Sequence, residues 1–169
     1  MRLPYMALLV GITVFYSLDS TADEKYDDFG LWKGSLNTCS VVRVSHPHGQ
    51  RQPMECNSFR LNQQIRGIIS VRFESWKGVN NHNIGKLVLA GVLEEKSLSM
   101  RCRQGRCQPQ FPIKLQISAL AESYENDLGL ASKVPHSYLA RGYCQIEISR
   151  VHCVAKTLDG IEWSADASR

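Results

Sequence analysis

The chain has no Gly-x-Ser-x-Gly elbow, no glycine-rich phosphate loop and no Cys-x-x-Cys pair. It therefore offers no nucleophile turn, no nucleotide cradle and no thioredoxin-type redox centre. Internal repeats and low-complexity tracts are also missing, and apolar and charged fractions of 43% and 21% sit near globular averages, so one ordinary folded domain is expected. Beyond residue 22 no apolar run is long enough to cross a bilayer as a helix, which excludes a multi-pass helical protein. Residues 23–169 contain no classical Asn-x-Ser/Thr acceptor.

What the chain does have begins with an apolar leader. Arg2 gives a positive start, residues 5–16 (YMALLVGITVFY) form an apolar stretch, and Ser20, Thr21 and Ala22 supply small residues where a signal peptidase reads. Cleavage after Ala22 is expected, leaving residues 23–169 as a single secreted or periplasmic domain. The alternative is an uncleaved N-terminal anchor, for which residues 3–18 fall short of the roughly 20 that a spanning helix needs.

Export decides how the six cysteines are read. An even number in an oxidising compartment points to three disulfides among Cys39, Cys56, Cys102, Cys107, Cys144 and Cys153. The sequential scheme, 39–56, 102–107 and 144–153, is favoured because each loop has the size of a hairpin. Chain entropy assigns the three about 3, 2 and 3 kcal/mol. Cys144 and Cys153 are the weakest pair in that scheme, because residues 144–148 read as continuous strand; Cys39 with Cys153 is the competitor.

The dominant period is two. Ile69, Val71 and Phe73 alternate with polar residues, as do Leu98, Met100 and Cys102, then Ile113, Leu115 and Ile117, then Cys144, Ile146 and Ile148. Residues 86–93 (KLVLAGVL) suit a central strand, with Gly91 a candidate bulge. Turn residues separate these runs, and about eight strands emerge: a mainly β, antiparallel barrel or sandwich. Residues 118–131 (SALAESYENDLGLA) dissent, since Leu120, Tyr124 and Leu128 recur at helical spacing and allow one short helix. The acidic stretch 23–28 reads as a loose arm.

Charge is uneven. Residues 41–107 carry eleven Lys/Arg against four Glu, whereas the rest of 23–169 carries eight against eleven Asp/Glu. This asymmetry suits an anionic partner; alternating arginines also keep strand edges from pairing. Within the basic segment, Arg101, Arg103, Gln104 and Arg106 surround the Cys102–Cys107 loop. With Gln104 and Gly105 as the turn, the arginines stay exposed and can grip carboxylates with paired hydrogen bonds, so these four are the candidate contact residues.

Other constellations are weaker. His46, Pro47 and His48 bring two imidazoles together but without a third ligand, so no metal is expected. His82 reads as turn surface, and His136 and His152 as isolated. A ribonuclease could be sketched from Glu74, Arg72 and a loop histidine, yet no spacing unites them. Trp32, Trp76 and Trp163 fall near strand ends, where they either pack the core or line the mouth of a barrel holding a small apolar, lipid- or bile-acid-like ligand. The resulting expectation is an exported, non-enzymatic protein without cofactor that binds an extracytoplasmic protein of acidic surface. A small-ligand carrier or sensor and a small secreted hydrolase are the alternatives, and nucleic acid is not expected as a partner.

Overall fold

A computed structural model of the protein describes residues 26–45, 49–75, 84–124 and 134–169. The expected leader, His46, His48, Trp76, His82 and residues 125–131 of the helix candidate lie outside them. Within these described residues twelve strands build one sheet: β1 (Gly30–Ser35), β2 (Thr38–Ser45), β3 (Gln50–Glu55), β4 (Ser58–Ile65), β5 (Ile68–Glu74), β6 (Ile84–Leu93), β7 (Arg101–Arg103), β8 (Arg106–Gln108), β9 (Ile113–Tyr124), β10 (His136–Ile146), β11 (Arg150–Thr157) and β12 (Glu162–Ser168). Their order is β3-β2-β12-β11-β10-β9-β6-β5-β4-β1-β8-β7. The pairs are antiparallel except β1 with β8.

The mainly β class and the disulfides hold, but the expectation of about eight strands in an antiparallel barrel or sandwich is corrected to twelve in one mixed sheet. The reason lies in two bends. Only Leu36 and Asn37 separate β1 from β2, and only Cys56 and Asn57 separate β3 from β4. The four form one long, bent hairpin whose register runs from Gly30↔Gln63 to Ser45↔Gln50. Between Ser35↔Ser58 and Ser40↔Glu55 the register slips, the local signature of a bulge that bends a strand. Above the bend β2 pairs with β12, and below it β4 pairs with β5. Through this hairpin the sheet wraps around one core.

Period-two alternation explains that core. Val41, Phe59, Leu61, Ile69, Val71, Phe73, Leu87, Ile113 and Leu115 are fully buried on the inner face. Phe59 and Phe73 are cross-strand partners with ring centroids 5.5 Å apart, a pairing worth about 0.5–1.5 kcal/mol beyond area burial. Leu98 and Ile148, read as inward strand positions, are instead exposed, because β7 begins at Arg101 and β10 ends at Ile146.

The described part of the helix candidate is strand. β9 runs to Tyr124, and between Gly91↔Ile117 and Ala90↔Ala119 it holds one residue more than β6. That extra residue, Ser118, switches the inward parity from Ile117 to Leu120. The resulting three-residue step imitates helical spacing. Gly91 does mark this irregularity, and a Cβ there would run into the carbonyl oxygen of Gln116.

All three disulfides follow the sequential scheme. Cys102↔Cys107 and Cys144↔Cys153 are direct register partners, with Cα atoms 4.0 and 4.1 Å apart. Continuous strand at Cys144 is thus no obstacle, because the bond crosses to the neighbouring strand. Cys39–Cys56 lies one step beyond Ser40↔Glu55 and pins the bend of the long hairpin. Three such bonds fit an oxidising, extracytoplasmic environment. Among the described residues no helix is long and apolar enough to cross a membrane.

Candidate functional site: a braced basic hairpin and a buried polar cluster

The four predicted contact residues lie together on the β7–β8 hairpin. Gln104 and Gly105 both have positive φ, 51° and 76°, as a two-residue hairpin turn demands. Cys102 and Cys107 face inward and are buried, so alternation turns Arg101, Arg103 and Arg106 outward, where all three are exposed.

The hairpin is not a protruding tip. Asp27 donates its N–H to the carbonyl of Cys102 at 2.8 Å, and its carboxylate accepts from the N–H of Gln104 at 2.7 Å. Leu31 N–H bonds the carbonyl of Gly105 at 2.8 Å. The Arg101 guanidinium lies 5.7 Å from the ring centroid of Tyr26. Behind it, fully buried Gln63 on β4 gives its amide to the carbonyls of Asp28 and Met100 and accepts from Met100 N–H at 2.8 Å. The acidic arm is corrected accordingly: Asp27 and Asp28 are bound, Asp28 also to Arg66 at 3.3 Å, while residues 23–25 lie outside the described part.

The basic segment 41–107 does not form one surface. Arg43 points into the interior, Arg66 meets Asp28, and Arg60, Arg72 and Lys86 surround Glu74 on the outer face at 3.0, 3.6 and 3.9 Å. Glu74 and Arg72 of the ribonuclease sketch are therefore neighbours, but within a cluster of three cations on one carboxylate. The loop histidines of that sketch lie outside the described residues.

No family model, curated protein or solved structure matches this chain. The arrangement of side chains has to carry the functional reading.

Sequence reasoning missed two groupings. On the outer face, His152 is not isolated: its Nδ1 lies 2.7 Å from Asp166 Oδ1 and its Nε2 3.5 Å from the Tyr143 hydroxyl. The register places His152↔Asp166 directly opposite, a juxtaposition no linear spacing reveals. Among the described residues there is no cluster of three metal-type ligands.

The second grouping lies inside. Glu122 on β9 is buried and accepts from the hydroxyls of Tyr124 and Tyr138 at 3.4 and 3.2 Å. Its other oxygen lies 3.6 Å from Arg43 Nε of β2. Trp163 is buried beside them, with Arg43 5.8 Å from its ring centroid. Burial first, and Glu122 second, raise both tyrosines above their usual pKa, because each neutral hydroxyl is favoured over a phenolate next to a carboxylate. Trp32 also packs against the core, and the Arg169 guanidinium covers its ring at 4.4 Å. The signal for Glu122 was available only after the bulge: it shares the inward parity of Leu120.

Proposed function

We propose that the chain is an exported, non-enzymatic binding protein that engages an acidic surface of another extracytoplasmic protein through Arg101, Arg103, Gln104 and Arg106. The supporting observation is the bracing of the hairpin. A disulfide beneath it, Asp27 across its turn and Leu31 along its side hold in place, before any partner arrives, the backbone that carries the exposed Arg101, Arg103 and Arg106. Such preorganisation lowers the ordering cost of binding, and guanidiniums suit carboxylates geometrically. An oxidising compartment, which the three disulfides suit, and the expected leader with cleavage after Ala22 support a partner outside the cytoplasm.

The test is capture under non-reducing conditions from the native extracytoplasmic fraction, with wild type against an R103S/R106S variant. The expected result is a partner whose retention falls with added salt and is lost in the variant at unchanged melting temperature. Equal retention by the two proteins overturns the reading. Sequencing the N-terminus of the native protein tests the leader, with Asp23 as the expected first residue.

A further inference from the structure

We propose that the outer face of the first five strands in the sheet order, β3-β2-β12-β11-β10, carries a binding site for a small organic carboxylate with an apolar body. Register sets Arg51, Val44, Glu162, Lys156 and Arg141 in one row across these strands, each the cross-strand partner of the next. All five line a recess of about 310 Å³, at the lower end of the range that small-molecule pockets occupy. Room and charge therefore coincide here. None of these residues belongs to the β7–β8 hairpin, so the site is separate from the protein-binding surface proposed above.

Two features of β10 build this recess. Opposite the single Ser118 of β9 it holds two residues, Ala140 and Arg141, a bulge of the kind that re-aims a side chain. Gly142 follows, and a Cβ there would run into the carbonyl oxygen of Val154, so β10 lies closer against β11 than another residue would permit. Gly142 and Val154 both line the recess beside Arg141.

The chemistry of the lining selects the ligand. Lys156 and Glu162 pair at 2.8 Å and cancel, which leaves the exposed Arg51 and Arg141 as the excess charge. An anion is favoured, and a guanidinium meets a carboxylate with two parallel N–H donors. Between the arginines the surface is apolar as well as polar: Val44 and Val154 are half-buried, and Ser164 is the cross-strand partner of Val154. A bare phosphate or sulfate would leave both valines uncovered, whereas a carboxylate on an apolar body satisfies the charge and covers them.

The experiment is titration of 15N-labelled protein with benzoate, followed at the assigned amides of Val44, Val154 and Ser164, with benzamide as neutral isostere and inorganic phosphate as bare anion. Expected is a saturable shift with benzoate, none with benzamide and weaker binding of phosphate. Benzoate affinity should fall at least tenfold in R141Q, as suits loss of a charge-assisted pair of hydrogen bonds. No saturable shift with benzoate, an equal shift with benzamide, phosphate binding as tightly as benzoate, or undiminished benzoate affinity in R141Q overturns the proposal. Should R141Q not fold, R51Q on the opposite side of the recess takes its place under the same criteria.

Discussion

Asp27 and Gln104 are joined across 77 residues of chain by one hydrogen bond, carboxylate to backbone N–H, at 2.7 Å. It converts a short hairpin into part of the sheet's frame. Asp27→Ala is expected to cost about 1 kcal/mol or less globally, since the site is exposed, but to speed amide exchange at Gln104 selectively. Exchange measured residue by residue checks this. Unchanged protection at Gln104 would mean that the disulfide and Leu31 suffice.

Gly30 sets how closely β1 approaches the hairpin. Its φ is +154°, and a Cβ there would lie 2.6 Å from Cys107 Sγ and 2.9 Å from the backbone of Gly105. Gly30→Ala should destabilise the fold by about 1–3 kcal/mol through overpacking, visible as a lower midpoint in urea unfolding.

The disulfides should differ in worth by the loops they close. Sequence separations of 17, 9 and 5 for Cys39–Cys56, Cys144–Cys153 and Cys102–Cys107 predict losses in that order, from about 3 to about 2 kcal/mol, when each pair is replaced by alanine. Chemical denaturation of the three double variants gives the ranking. A reversed order would show that packing of the sulfurs outweighs chain entropy.

Tyr124 and Tyr138 predict alkaline weakening. Their folded pKa values lie above the ordinary 10.0, so the fold prefers the protonated form. The stability they supply is intact below pH 10 and is lost as pH rises through the folded values, because the unfolded chain releases these protons first. Tyr138→Phe removes one of the two hydroxyls on Glu122 and should flatten this alkaline decline in a pH series of thermal melts.

The residues that alternate cleanly were readable from sequence, and physics says why. Ile69, Val71 and Phe73, or Ile113, Leu115 and Ile117, face one apolar interior, so pattern and burial coincide. The pairing of Cys144 with Cys153 was readable as a loop length, although not as a cross-strand contact. The bends at residues 36–37 and 56–57 were not legible, since a bulged register leaves no fixed residue signature there. The same holds for Ser118, whose insertion disguises strand as helix. Local patterning put Arg103 and Arg106 on the surface but could not foresee that Asp27 would cross their turn. Arg43 and Glu122 are harder still: three strands separate β2 from β9 in the sheet, and only its curvature brings the two side chains together.

The seam between β2 and β12 joins Thr38 to Ser168, 130 residues apart along the chain. A chain made from its N-terminus holds β2 early but cannot complete that seam until its last strand has emerged. Until then β2 and β11 each keep a bare edge, and the core stays open along one side. The topology thus delays this closure until β12 has been made, and a truncation ahead of Glu162 should yield a sticky, aggregation-prone chain rather than a slightly smaller domain.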